Sequence, residues 1–351
     1  MGKLFETYMH EQPEILKKII DTRVDIARPL LEFCEEAPKR FFLIGSGSSY
    51  NAAYAVAPLI GEITGAEVTV LTPTMMAVYG ITEGLIIALS QSGTSTNTLN
   101  AIRTLQKEGR RVLLVTAEPD SPAGIQADSC LIVPCGAERV GPKTKGVTAT
   151  MMTLLIGMHA VAVRFRLVPN RVLSVFEQQI ERVVGDLEPA IRSACVFFDQ
   201  HKANLSKAPY IMLCSDTSVI GASLECALKL LETCWLPVFA YDVEEFMHGV
   251  HYADGPGTTL FFLISPHEGE SERMMRIADF SQAHGADVYR FGTSGDFEGI
   301  LLISDCCNLS RPFCLIVFFQ ALCALLSVDK GIECDVPRYP DFGKLMGTKD
   351  T

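Results

Sequence analysis

The sequence predicts two similar three-layer α/β domains, each a mainly parallel, doubly wound sheet with helices on both faces. Three observations lead there. Short apolar runs alternate with helical stretches along the chain, the order expected of a parallel sheet covered on both sides. Two of those runs lead into Gly/Ser turns that open helices, as a βα unit does. The chain also repeats itself: slid along its own length, Ser46 falls on Ser215, Ser49 on Ser218, Ala53 on Ala222 and Leu59 on Leu228. A period near half the chain length means two similar domains rather than a solenoid.

Residues 1–34 read as an N-terminal helical segment, because Ile15, Ile19, Ile20, Val24 and Ile26 recur at helical spacing. The first domain, 35–165, opens on the apolar run 41–44, the turn Gly45-Ser46-Gly47-Ser48-Ser49 and a small-residue helix over 50–63. Strands follow at 67–71 and 85–89, then the turn Ser90-Gln91-Ser92-Gly93, a helix over 95–108, and strands at 112–115 and 131–133. A helical linker spans 166–205, with its helix over 177–198. The second domain, 206–335, repeats the plan: a strand at 210–214, a turn at 215–220, a helix over 221–234, and strands at 237–240, 260–264 and 288–291. A tail, 336–351, closes the chain. The copies differ at the first turn, where Gly45 and Gly47 become Cys214 and Asp216, so the glycine-rich form is kept once.

The 351 residues are enough for two cores, and 48% apolar against 20% charged residues is a globular balance. A net charge of −11 repels a polyphosphate backbone, so nucleic acid is not an expected partner. Residues 147–163 and 313–328 are apolar but fall short of the roughly 18–20 residues that span a bilayer, and His159 and Gln320 interrupt them. They are expected to be buried core helices, with no membrane partner. No apolar leader follows Met1, and the 12 cysteines show no CxxC and no zinc-type spacing. The expectation is a cytoplasmic protein with reduced, buried cysteines, no metal and no cofactor.

Chemistry concentrates in a few places. The turns 45–51 and 90–98 are rich in hydroxyls and glycine; at the carboxyl ends of parallel strands they present backbone N–H groups and helix N-termini, a cup sized for one phosphate. A plain N-cap explains one such turn, but two in one domain favour a ligand. A GxGxxG dinucleotide fingerprint would need glycine at Tyr50, and no Walker motif is present. On the helix 221–234, Glu225, Lys229 and Glu232 share one face. On a mostly buried helix a carboxylate is either paired or lines a pocket, where desolvation raises its pKa towards that of a general base. His248 follows in Glu244-Glu245-Phe246-Met247-His248-Gly249; a titratable imidazole beside a base and a phosphate cup suits aldose–ketose chemistry.

With Ser90-Gln91-Ser92-Gly93, Gly47-Ser48-Ser49-Tyr50, the run 225–232 and Glu245-Phe246-Met247-His248-Gly249 in this order, the sequence resembles the sugar isomerase (SIS) double-domain family. That family includes ketosamine-6-phosphate deglycases and the isomerase half of glucosamine-6-phosphate synthase. The resemblance covers about residues 35–345. It implies a flavodoxin-like αβα fold and a sugar phosphate held by Gly47, Ser48, Ser49, Ser90, Gln91, Ser92, Ser95 and Glu225. It also implies Glu232 as the C1/C2 proton shuttle, Lys229 as its helper and His248 as the ring-opening group. In the family that histidine serves a neighbouring subunit, which implies a homodimer, or a tetramer, with a shared active site.

The segment 138–145 is similar to the loop beside the sugar, which brings in Lys143 and Lys145 as contacts for the far end of the substrate. The tail is similar to the synthase's closing tail and offers Lys344 as a catalytic lysine, although extra residues precede it. Thr94 stands where the synthase has Glu. A chain starting Met1-Gly2 has no N-terminal nucleophilic cysteine, so nitrogen transfer from glutamine is not expected of it. The implied activity is a deglycase releasing glucose 6-phosphate and an amino acid. The alternatives are a glucosamine-6-phosphate deaminase or isomerase, and a phosphosugar sensor without catalysis.

Overall fold

The computed structural model describes residues 3–292, 299–301 and 306–349. It divides into two compact units, each built on one five-stranded sheet. The first-sheet unit holds Glu11–Arg139, Lys143–Glu181 and Pro337–Thr351; the second-sheet unit holds Met1–His10, Val140–Pro142 and Arg182–Val336.

In the first-sheet unit, α2 (Gln12–Asp21) and α3 (Arg23–Phe33) precede β1 (Arg40–Ile44), α4 (Ser48–Thr64), β2 (Glu67–Leu71), α5 (Pro73–Tyr79) and β3 (Leu85–Leu89). Then come α6 (Thr96–Lys107), β4 (Leu113–Thr116), α7 (Pro122–Gln126), β5 (Ser129–Ile132) and α8 (Lys145–Phe165). The strands run parallel in the order β2-β1-β3-β4-β5. This is the doubly wound order of a flavodoxin-like sheet, with its switch point between β1 and β3. The two hydroxyl-rich turns sit there, at the carboxyl ends of those two strands, where such sheets bind ligands.

The second-sheet unit repeats the order. Its strands are β6 (Ile211–Ser215), β7 (Val238–Asp242), β8 (Thr259–Leu263), β9 (Asp287–Gly292) and β10 (Ile300–Leu301), paired as β7-β6-β8-β9-β10 and all parallel. Its helices are α1 (Lys3–His10), α10 (Ile220–Cys234), α11 (Val243–Met247), α12 (Glu268–Ala283) and α13 (Arg311–Asp329). The long helix α9 (Asn170–Leu205) gives its first residues to one unit and the rest to the other, and α14 (Phe342–Leu345) lies in the tail.

The strands are nearly continuous apolar runs because both faces are covered. Phe42, Ile44, Ile86, Ala88, Leu99 and Ile102 centre one core; Met212, Phe246, Leu260, Phe262 and Met274 centre the other. The two apolar stretches tested for membrane spanning lie in α8 and α13, which are long and apolar enough to cross a bilayer. Within their own units they are core helices: 83% and 78% of their most apolar windows are buried.

Candidate active site

The cup is built by two βα turns of the first sheet. After β1 the chain turns through Gly47, held at φ +55°, and α4 begins at Ser48. A side chain at Gly45 would press on the backbone of Ser49 and Tyr50, so glycine lets the turn close tightly. Ser48 and Ser49 therefore occupy the first turn of α4, where the helix dipole gathers positive potential. After β3, Ser90 is buried, and the Ser92 hydroxyl lies 2.9 Å from that of Thr94. Gly93 turns at φ +61° with its α-carbon against Ser121. Ser95 caps α6, its Oγ accepting from the Thr98 N–H at 3.4 Å.

Glu138 organises the loop beside this turn. Its Oε2 accepts from Gln91 Nε2 at 2.6 Å and from the Gly146 N–H at 3.3 Å. Its Oε1 accepts from the Thr144 N–H at 2.8 Å and the Thr144 hydroxyl at 2.7 Å. Four donors on one carboxylate fix the Gln91 amide in place, and Gly146 is packed so closely on that amide that a β-carbon would overlap it. Glu138 is the residue that pattern reading passes over as a site member, since its partners are scattered through the sequence. Lys143 donates to the Glu138 backbone carbonyl at 3.0 Å, and Lys145 is buried with Nζ 2.6 Å from Glu11. The tail returns to the same turn: the Thr96 N–H, in the first turn of α6, donates to the Thr348 carbonyl at 3.3 Å, and Ser95 bridges Lys349. Lys344 sits exposed in α14, between the tail's start and that bridge.

In the second-sheet unit, α10 presents a charged triad. Lys229 is 1% exposed, with Nζ 2.5 Å from Glu232 Oε2 and 3.3 Å from Glu225 Oε1. Burial alone would lower the lysine's pKa, but the Glu225 and Glu232 carboxylates outweigh it and push the ammonium well above its ordinary range. It is therefore a fixed cation. Glu232 keeps 35% of its side chain open to solvent, whereas Glu225 has none. Glu225, expected as a substrate contact, lies in the interior as a counter-ion to Lys229, because a buried ammonium needs a second carboxylate to offset desolvation. His248 ends α11 with its side chain 75% exposed and Nε2 3.8 Å from Glu244.

The turn after β6, equivalent to the cup turn after β1, is filled rather than open. Asp216 stands where the first copy has Gly47; its Oδ2 accepts from Arg311 Nη2 at 2.7 Å and its Oδ1 from the Ser218 N–H at 2.9 Å. Arg311 also donates to the Ser218 hydroxyl and the Ile264 carbonyl. An internal guanidinium takes the place a ligand would need there.

Fold and motifs together define a double α/β class with two hydroxyl-rich turns at the switch point of its first sheet. Residues 36–160 match the SIS domain family, and the chain as a whole resembles double-domain proteins of that family. Over 94% of its length it is 24% identical to the isomerizing glutamine–fructose-6-phosphate aminotransferase of Caldanaerobacter subterraneus subsp. tengcongensis, covering 57% of that protein. The chain thus spans little more than half the length of that relative. A candidate phosphosugar isomerase from Clostridium difficile 630 superposes with a TM-score of 0.87 at 25% identity, over 99% of both chains. The C-terminal domain of glucosamine-fructose-6-phosphate aminotransferase from Francisella tularensis shares the fold, with a TM-score of 0.85 at 19% identity over 95% of this chain and 98% of that one.

Proposed function

We propose that this protein is a sugar-phosphate enzyme, a deglycase that cleaves a ketosamine 6-phosphate to glucose 6-phosphate and a free amino acid. The observation that carries the reading is the α10 triad, a buried ammonium between an interior carboxylate and one open to solvent. A pure phosphosugar sensor needs the cup but has no use for so costly a buried charge.

In this reading the hydroxyls and amides of Ser48, Ser49, Ser90, Gln91, Ser92 and Ser95 hold the phosphate. His248 transfers the proton that opens the ring and exposes the C2 ketone. Glu232 then takes the C1 proton, giving an enaminol, and returns a proton to C2, giving an aldimine. Water adds to C1, the C–N bond breaks, and the amine leaves with a proton. Lys229 cannot act as the base, because its pKa is pushed up; it holds Glu232 in place through their ion pair. Lys143 and Lys145 are proposed for the non-phosphate end and Lys344 as a catalytic lysine, and a homodimer in which His248 serves the neighbouring subunit completes the proposal.

The test is to incubate the protein with fructose-amino-acid 6-phosphates and with glucosamine 6-phosphate, measuring glucose 6-phosphate, fructose 6-phosphate and ammonia. Glucose 6-phosphate from the first substrates is expected. Glu232→Gln should lower turnover by about 10²–10⁴-fold with phosphosugar binding kept. Ammonia from glucosamine 6-phosphate alone would replace the deglycase with a deaminase. Binding with no turnover on any substrate would leave a sensor.

A further inference from the structure

We propose that Asp186, Cys306 and Cys314 form a binding site for one thiophilic divalent cation of the zinc type in the second-sheet unit. A carboxylate oxygen of Asp186 and the two sulfur atoms lie within 4.8 Å of one another. They come from three separate places: the middle of α9, the segment leading into α13, and the first turn of α13. Two thiolates and a carboxylate are a zinc-type donor set. Tetrahedral coordination at normal bond lengths would bring the donor atoms to roughly 3.3–3.9 Å from one another, a contraction of about 1 Å that rotamer changes supply.

A second observation points to a ligand. Asp186 Oδ2 is fully buried and has no hydrogen-bond partner among the described residues. Such an oxygen costs the fold its desolvation, and a coordinated cation would satisfy it. Buried cysteines acting only as small hydrophobes do not account for it. Cys314 is fully buried, and Cys306 is half-buried and reachable from solvent. Water would supply the fourth ligand, while the Cys307 Sγ lies 3.1 Å from Ser310 Oγ. Coordination would release the two thiol protons to solvent and tie the segment 306–310 to α9 and α13. Zinc-type spacing is not visible in the sequence because the oxygen donor lies on a distant helix and the cysteines form no CxxC pair.

The experiment uses the full chain, reduced and stripped of metal, titrated with Zn²⁺ by calorimetry and with Co²⁺ by absorption. One equivalent bound per chain is expected, with a thiolate-to-cobalt charge-transfer band and a raised melting temperature in excess zinc. Cys306→Ser and Asp186→Asn should each weaken uptake by more than about tenfold. Cys195→Ser, at an exposed thiol of α9, should leave it unchanged. Cys306→Ser is the deciding variant, since its half-buried position tolerates a hydroxyl, and circular dichroism verifies its fold. No stoichiometric uptake by the natural chain, a charge-transfer band that survives Cys306→Ser, or one lost in Cys195→Ser would each overturn the proposal.

Discussion

Single residues divide into those whose setting follows from the local pattern and those set by distant partners. The shared face of Glu225, Lys229 and Glu232 follows from helical spacing and is legible in the sequence. That Glu225 is wholly interior is not, because its depth depends on how α10 packs against α13. The Glu138 loop is legible by resemblance, but its bracing role is not, since its donors come from Gln91, Thr144 and Gly146 and no periodicity links them. His159 carries a pH prediction. It is stacked on Phe176 at 4.8 Å, and burial lowers its pKa, only partly opposed by Glu177 at 3.4 Å. The folded state therefore favours the neutral ring, and the unfolded chain takes up the proton first. The resulting stability is present above the ordinary histidine pKa of about 6.5 and is lost as pH falls below it. Urea midpoints at pH 7.5 and 5.5 should show the loss, and His159→Phe should reduce the difference between them.

Among the elements, the strands and their long flanking helices were legible because each is a strongly apolar or strongly periodic run. The expected strand at 85–89 is β3, and the expected helix over 95–108 is α6 to within a residue at each end. The short pieces were not: α5, α7 and the two-residue β10 are fixed by caps and by pairing with β9, not by a hydrophobic pattern. The β3–α6 turn shows how tightly such a joint is specified. A β-carbon at Gly93 would lie 1.7 Å from Ser121 Oγ, the cap of α7, and the position needs a left-handed φ. Gly93→Ala should cost more than about 1–2 kcal/mol from backbone strain alone and weaken phosphosugar binding, as urea unfolding and calorimetry would show. A variant with unchanged stability would mean that the turn is looser than described.

For the molecule as a whole, the internal repeat was the most informative part of the sequence, since it anticipated two sheets wound in one strand order. It also marked where they part, at Gly47 and Asp216, but gave no hint of the partner. Arg311 lies far along the chain and meets Asp216 only in the folded second-sheet unit. Asp216→Ala would leave that guanidinium buried without its carboxylate, so the loss should be about 3–5 kcal/mol, read as a lower urea midpoint. Asp216→Asn, which can still accept from the Ser218 N–H, should lose less. If the alanine variant matched the natural chain in stability, the ion pair would be dispensable and the filled turn would need another explanation.

The bridge from Ser95 to Lys349 has a practical side. Whatever is attached beyond residue 349, whether an affinity handle or a fluorescent fusion, starts its path at the rim of the proposed phosphate cup. Assays of binding or turnover are better served by a handle at the other end of the chain, and a C-terminal dye placed there would report ligand arrival by its own change in signal.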